Sequence, residues 1–96
     1  MGAEVFYTRE KGKSPDDAFW KAVEKANDLH GNGGYTGTIA EKCEFTMIAL
    51  PANETPLAFA ERLIDAEDPR VDDKWGPAGC IMVAPGEFLF FGWASS

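Results

Sequence analysis

Apolar and polar positions follow two different periods along this chain, and each change of period marks the boundary of an element. Residues 3–9 are rich in β-branched and aromatic side chains and predict a strand. Residues 15–30 have apolar side chains at helical spacing, with Ser14 as the capping residue and Pro15 at the first helical position. The residues predicted to form one buried face of this helix are Phe19, Ala22, Val23, Ala26 and His30.

The middle of the chain predicts a long strand followed by a second helix. A period of two runs through residues 38–50, and Pro51 ends it. Thr55 then caps a helix that is expected to reach about residue 66. The covered face of the strand is predicted to consist of Cys43, Phe45, Met47 and Ala49, and the apolar stripe of the helix of Phe59, Ala60, Leu63 and Ile64.

The last part of the chain predicts a hairpin, with strands over residues 80–84 and 88–94 and a turn at residues 85–87. Residues 88–91 are apolar on both faces of the second strand. Such a strand is either central and covered twice, or its outer face meets another subunit. Because a short chain has few elements to cover two faces, we expect a homo-oligomer that forms through the strand at residues 88–94.

The resulting order is β-α-β-α-β-β, which predicts an α+β fold in a single domain over residues 1–96. We expect two helices packed on one face of a four-stranded, mainly antiparallel sheet. The pattern leaves the order of the strands open.

A glycine-rich segment at residues 31–37 connects the first helix to the predicted long strand, and four of its seven residues are glycine. One glycine is enough to end a helix. The others would let backbone N–H groups approach a small anion, with an aromatic ring and hydroxyls beside them. The alternative is a plain connection whose tyrosine packs on the core. The predicted ligand contacts in and beside this segment are Gly33, Gly34, Tyr35, Thr36, Gly37 and Thr38.

Two lysines and a tryptophan complete the predicted site. Lys42 or Lys74 would neutralise the charge of an anionic ligand, and Trp75 would stack on a flat group such as a base. The alternative for Trp75, which precedes a Gly-Pro pair, is a tight turn that seals the edge of the core.

The formal net charge of −7 argues against binding to nucleic acids or to anionic membranes. Residues 54–73 contain seven acids against Arg62 and Arg70. This run is either a solvated surface or a docking surface for a basic protein.

Reactive side chains are few. His30 is the only histidine, and it has neither an orienting acid nor a nucleophile beside it in the pattern. Cys43 and Cys80 are expected to be buried free thiols, with one disulfide as the alternative. No paired spacing predicts a metal site, and we expect no cofactor and no catalytic residues. The N-terminus lacks the pattern of a signal peptide, so the expected location is cytoplasmic.

Two sequence blocks resemble small uncharacterised proteins encoded by phages and other mobile elements. The first runs from His30-Gly31 through Gly34-Tyr35-Thr36-Gly37-Thr38-Ile39, and the second is Asp73-Lys74-Trp75-Gly76-Pro77-Ala78-Gly79. The resemblance implies a phage or prophage accessory protein. It favours a non-catalytic protein that sequesters a small nucleotide-like anion, such as a cyclic nucleotide defence signal. The alternative is an acidic inhibitor that contacts a basic host protein directly.

Overall fold

The structure is a computed structural model that describes residues 2–30 and 37–95, with His30 described by its backbone alone. The six predicted elements are present in the predicted order, and a short 3-10 helix follows the first α-helix. The α+β class and the four-stranded sheet are therefore confirmed. The elements are β1 (Ala3–Lys11), α1 (Pro15–His30), the 3-10 helix (Ile39–Glu41), β2 (Phe45–Met47), α2 (Pro56–Asp65), β3 (Ala78–Ala84) and β4 (Glu87–Ser95).

The sheet has the strand order β1-β4-β3-β2, so the last strand of the chain lies inside it. β4 is antiparallel to β1 and to β3, while β2 is parallel to β3. The predicted hairpin is confirmed, because Ala84 pairs with Glu87 across the turn and Gly86 adopts a φ of 75°. Two of the three pairings are antiparallel, as expected for a mainly antiparallel sheet.

The two helices lie on opposite faces of this sheet, so the prediction that both pack on one face is wrong. Phe88 and Phe90 share a core cluster with α1, whereas Leu89 and Phe91 share another with α2. Successive side chains of a strand point to opposite faces, and β4 needs a cover on each. One helix supplies each cover, and residues 88–91 are all buried within the chain. The strand is thus central and covered twice, which is the alternative stated above, and a homo-oligomer contact through residues 88–94 is not supported.

The predicted long strand over residues 38–50 is also wrong, since β2 has only three residues. No strand begins at Thr38, because its Oγ1 accepts the N–H of Ala40 at 3.2 Å and caps the 3-10 helix. The expected covered face is corrected too. Cys43, Met47 and Ala49 are exposed, and Phe45 is half-buried against the α1 cluster. Ile48, in the opposite phase, is the buried residue because it faces α2.

Both α-helices begin where the sequence predicts. Ser14 Oγ accepts the N–H of Asp17 at 3.1 Å, and the Asp17 carboxylate accepts the N–H of Lys13 at 2.9 Å. Thr55 occupies the capping position of α2 without a side-chain cap bond. The predicted α2 stripe is buried, and so are the four described members of the α1 face: Phe19, Ala22, Val23 and Ala26. Within residues 2–30 and 37–95, no helix has the length and apolarity needed to span a membrane.

Candidate ligand-binding cleft

A cleft of about 320 Å³ lies between α1 and β1. The second half of α1 forms one wall, the C-terminal part of β1 forms the other, and the start of the 3-10 helix adjoins both. The side chains that line it are partly apolar and partly charged. The lining residues are Thr8, Arg9, Glu10, Ala22, Lys25, Ala26, Leu29, Thr38 and Ile39.

Small side chains on α1 leave room for this cleft. Ala22 and Ala26 stand one turn apart on the buried face of the helix, and both are nearly inaccessible to solvent. A larger residue at either position would fill the space towards β1. Leu29, one turn further on, is 80% exposed although it lines the cleft. The helix therefore offers an apolar wall that is only partly covered by the protein itself.

Opposite charges face each other across the cleft. Lys25 Nζ on α1 lies 2.9 Å from Glu10 Oε2 on β1. The Glu10 side chain is 9% exposed and the Lys25 side chain is 68% exposed, so the carboxylate belongs to the wall and the ammonium to the rim. Arg9 lines the cleft as the neighbour of Glu10 in β1, but its side chain lies on the opposite face of the sheet, because it pairs with Leu89 of the α2 cluster, and there it contacts Glu87 at 3.7 Å. A bound anion can therefore recruit the exposed ammonium of Lys25 at the rim of the cleft.

The described end of the glycine-rich segment adjoins this cleft. Thr38 lines it, and Gly37, with a φ of 69°, has the left-handed backbone that favours glycine. The N–H of Gly37 donates to the carbonyl oxygen of Ser95 at 2.7 Å, which ties the segment to the end of β4. The predicted contacts Gly33, Gly34, Tyr35 and Thr36 lie outside the described residues, as does the side chain of His30.

Lys42, a predicted ligand cation, is buried and holds a loop together. Its residue is 3% exposed, and its ammonium donates to the carbonyl oxygens of Asp73 at 3.3 Å, Lys74 at 3.3 Å and Gly76 at 2.9 Å. Burial lowers the pKa of this ammonium from its ordinary value, and the Asp73 carboxylate opposes that shift. The three N–H donors of the Lys42 ammonium are thus engaged by backbone carbonyl oxygens, whereas an anionic ligand would need at least one of them.

Lys74 and Trp75 lie in the same loop as the acceptors of Lys42. Lys74 Nζ donates to the carbonyl oxygen of Gly2 at 3.3 Å and lies 5.4 Å from the centre of the Trp75 ring. The backbone N–H of Trp75 donates to Asp73 Oδ1 at 2.9 Å, and the residue is 65% exposed. The structure therefore brings Lys42, Lys74 and Trp75 together, but none of the three lines the cleft with Thr38.

Sequence reasoning missed Glu10 and Lys25 as members of a site. A signal was available on α1, where two alanines at helical spacing occupy the predicted buried face. Small residues in that phase indicate space next to the helix. Nothing in the pattern of β1 indicated which of its charged residues would face α1, because register across a sheet depends on the partner strand.

Neither cysteine forms a disulfide, and their environments differ. Cys43 is exposed, contrary to the prediction, while Cys80 is buried as predicted. Burial raises the pKa of the Cys80 thiol to about 12, so that this thiol stays protonated and unreactive at neutral pH. In the part of the chain that the structure describes, no three metal-ligating side chains lie close enough to hold an ion.

Comparison of the chain with protein-family models, with curated proteins and with solved structures finds no match.

Proposed function

We propose that this chain binds a small nucleotide-like anion in the cleft between α1 and β1 and holds it without breaking a bond. The observation that supports the proposal is the cleft of about 320 Å³ that borders Thr38, the residue at which the glycine-rich segment joins the 3-10 helix. Pockets for small molecules begin at about 300 Å³ and combine an apolar lining with a few polar groups. This cleft has both properties.

The lining divides into three parts that match the three parts of a nucleotide. The apolar wall of Ala22, Ala26 and Leu29 receives the base. The Glu10 carboxylate accepts hydrogen bonds from ribose hydroxyls, as an acidic residue does in many nucleotide sites. Lys25 at the rim neutralises the phosphate, and the backbone N–H groups of residues 33–36 are further proposed contacts.

The biological setting of the proposal follows the resemblance to phage and mobile-element proteins. A phage accessory protein of this kind acts in the cytoplasm of the host and lowers the free concentration of a nucleotide messenger. Tight, non-catalytic binding is sufficient for that purpose, since the amount of protein sets the amount of messenger removed.

Calorimetric titration with a panel of cyclic dinucleotides and cyclic ADP-ribose isomers tests the proposal. We expect binding heat with at least one member, and about tenfold weaker binding after Lys25→Gln because a charge-assisted contact is lost. Lys21→Gln is the matched control. Lys21 is also an exposed α1 lysine in an ion pair, with Asp17 at 3.2 Å, but it does not line the cleft.

Two results would overturn the proposal. One is the absence of heat with every member of the panel. The other is an equal loss of affinity in Lys25→Gln and Lys21→Gln, which would indicate nonspecific attraction to lysines. A ligand that shifts the NMR signals of residues 72–77 and leaves those of α1 unchanged would move the site to the Trp75 loop.

A second candidate function is direct contact with a basic protein through residues 54–73. Both arginines of this acidic run are engaged within it. Arg62 pairs with Glu54 at 2.9 Å, and Arg70 pairs with Asp68 at 2.8 Å. The carboxylates that remain exposed and outside these pairs are those of Glu61, Asp65, Glu67, Asp72 and Asp73.

Charge reversal tests this second candidate. The combined change Glu61→Lys, Asp65→Lys and Asp72→Lys should abolish binding of an oligolysine peptide, because it replaces the attracting carboxylates with like charges. Asp68 is left intact because it holds a turn with Arg70. Unchanged peptide binding in the folded triple variant would exclude this surface.

A further inference from the structure

The open edge of β2 presents backbone groups that the sheet does not use. The carbonyl oxygen of Glu44 accepts the N–H of Ala78 at 3.0 Å, and the N–H of Ile48 donates to Cys80 at 2.9 Å. Backbone groups of successive residues in a strand point to alternate sides. Those of Phe45 and Met47 therefore point away from β3, and among the described residues β2 is the last strand on this side of the sheet. An added strand would find donors and acceptors there.

Beside this edge lies a small pocket of about 170 Å³ with an aromatic wall and an acidic rim. Phe19 lies 5.0 Å from Trp20 and 5.1 Å from Phe45 between ring centres, and all three rings line the pocket. Asp16 and Glu44 line it as well, and neither carboxylate forms an ion pair among the described residues. Aromatic faces and carboxylates together attract a guanidinium or ammonium group.

A second groove continues along the same edge and is lined by apolar residues alone. It has a volume of about 640 Å³, and its lining is Met47, Ile48, Ala49, Leu50 and Met82. Met47 is 49% exposed and Met82 is 55% exposed. Methionine side chains adapt to the shape of a partner, so this groove suits an apolar side chain without demanding one particular residue.

The two cavities are lined by β2 residues that stand two positions apart. Phe45 lines the acidic pocket and Met47 lines the apolar groove. These residues pair with Ala78 and Cys80, which belong to the α1 cluster, so both side chains lie on one face. A strand added to β2 would place side chains on that face roughly 7 Å apart, at every second residue.

We propose that the edge of β2 binds an extended segment of a partner protein in which a basic and an apolar residue stand two positions apart. The basic side chain enters the pocket of Asp16, Trp20 and Glu44, and the apolar one enters the groove of Met47 and Met82. The main chain of the segment pairs with Phe45 and Met47, as in other cases of strand addition.

Charge decides between a foreign segment and a second copy of this chain. The pocket is rimmed by unpaired carboxylates, and the chain has a formal net charge of −7. Two acidic copies therefore repel each other, whereas a basic segment is attracted. The charge of the pocket thus distinguishes a basic segment from an acidic one. None of the residues in the two cavities lines the cleft between α1 and β1, so this surface does not depend on the proposed ligand.

The probe is a synthetic acetylated and amidated heptapeptide with the sequence TVRVLVT, titrated into isotope-labelled protein and followed by NMR. We expect the amide signals of residues 45 and 47 to shift. A control peptide with glutamate in place of arginine should bind at least about tenfold more weakly, because it places a negative charge between two carboxylates. Alkylation of the exposed Cys43, which lines the pocket, should slow when the first peptide is bound.

Variants of the protein separate the contributions of charge and backbone. The double change Asp16→Asn and Glu44→Gln should abolish the preference for the arginine peptide and leave the fold intact, since both residues are exposed. Met47→Pro removes an N–H that faces the open edge and should abolish binding, whereas Met47→Ala keeps that N–H and should only weaken binding. Lys25→Gln in the α1–β1 cleft should have no effect on the peptide.

Three outcomes would overturn the proposal. The first is that neither peptide shifts the β2 signals, and the second is that both peptides bind equally well. The third is self-association in sedimentation experiments that Met47→Pro removes, which would make a second copy the occupant. If Met47→Pro fails to fold, the peptide preference of the Asp16→Asn, Glu44→Gln variant still decides.

Discussion

Lys42 Nζ lies 2.9 Å from the carbonyl oxygen of Gly76, although 34 residues separate the two along the chain. Two further carbonyl oxygens of the same loop, those of Asp73 and Lys74, accept from this ammonium. The contact joins the end of the 3-10 helix to the loop that precedes β3. The loop that contains Lys74 and Trp75 is thereby fixed against the segment that runs from Thr38 to Lys42.

Replacing Lys42 with methionine should destabilise the fold by about 2 to 3 kcal/mol, because three partly buried carbonyl groups would lose a charged donor. Methionine retains much of the length and the apolar stem, so the loss reflects the ammonium. The free energy of unfolding in urea measures it. Lys74→Met is the control, since within residues 2–30 and 37–95 the Lys74 ammonium donates to one carbonyl, at an exposed position. Equal losses in the two variants would contradict the role given to Lys42.

The helices and the hairpin could be predicted from the sequence because their buried residues recur at the spacing of a helix or of a strand. In α2, Phe59, Ala60, Leu63 and Ile64 are buried as the apolar stripe requires. The placement of the two helices could not be predicted in this way. Each stripe specifies that a helix has a buried face, but not which face of the sheet it meets. The apolar residues on both faces of β4 contain that information, because they fit a strand covered by one helix on each face as well as a contact with another subunit.

The candidate site was harder to predict than the fold, because its contacts join residues that are distant in the sequence. Lys42 looked like a ligand cation because it occupies a polar phase next to a glycine-rich segment. A buried lysine with backbone acceptors from residues 73–76 depends on a contact that no local pattern contains. The pairing of Glu10 with Lys25 likewise depends on how β1 and α1 pack. Thr38, which the sequence predicts as a ligand contact, lines the cleft, and this position supports the proposal.

The turn at Asp68 should make stability fall at acid pH. Hydrogen bonds from the Arg70 side chain and backbone lower the Asp68 pKa to about 2 from its ordinary 3.8. A lowered pKa in the folded state gives stability that is present above the unfolded value and lost as pH falls through about 2. Because the pair is largely solvated, we expect less than about 1 kcal/mol.

Unfolding of wild type and Asp68→Asn in urea at a series of acidic pH values measures this effect. The variant should be less stable than wild type near neutral pH, and the difference should shrink below the ordinary pKa of an aspartate. Asp72→Asn, at an exposed neighbouring carboxylate, serves as the control. A difference between Asp68→Asn and wild type that does not change with pH would mean that the lost contact is not ionic.

The two core clusters, one on each face of the sheet, should respond to mutation independently of each other. Phe19 belongs to the α1 cluster and Leu63 to the α2 cluster, so the free-energy costs of Phe19→Leu and Leu63→Ala should add to within about 0.5 kcal/mol. Phe19 and Phe90 are 5.5 Å apart between ring centres. Phe19→Leu combined with Phe90→Leu should therefore deviate from additivity by about 0.5 kcal/mol or more. Double-mutant cycles measured by urea unfolding distinguish the two cases, and coupling between Phe19 and Leu63 would contradict the layered core.

The two thiols should react at very different rates. Cys43 is exposed, whereas Cys80 is fully buried with a thiol pKa of about 12. Under native conditions at neutral pH, an alkylating reagent should modify one thiol per chain rapidly and the second only as the protein unfolds. Mass spectrometry over time counts the modifications, and Cys43→Ser should remove the fast one. Rapid double modification of the folded wild type would show that β3 is less protected than its burial implies.

Gly79 lies in a tight contact between β3, β4 and the loop before them, and even one methyl group should be costly there. A Cβ at this position would lie 2.7 Å from two ring carbons of Phe91 and 2.8 Å from Cγ1 of Val71. Both neighbours are buried, so neither can move aside freely. We expect Gly79→Ala to cost about 1 to 3 kcal/mol through overpacking. For a domain of this size each kcal/mol lowers the melting temperature by about 4 to 8 °C, which thermal unfolding measures.

A control and a rescue distinguish overpacking at Gly79 from a general intolerance of alanine. At Gly76 the nearest atom to an added Cβ is Asp73 Cβ at 3.2 Å, so Gly76→Ala should cost less than Gly79→Ala. Shortening the opposing ring by Phe91→Leu removes the closest clash. The double variant Gly79→Ala, Phe91→Leu should then be more stable than the sum of its two single changes predicts. Strict additivity would mean that the contact between Gly79 and the Phe91 ring does not limit the packing of β3 against β4.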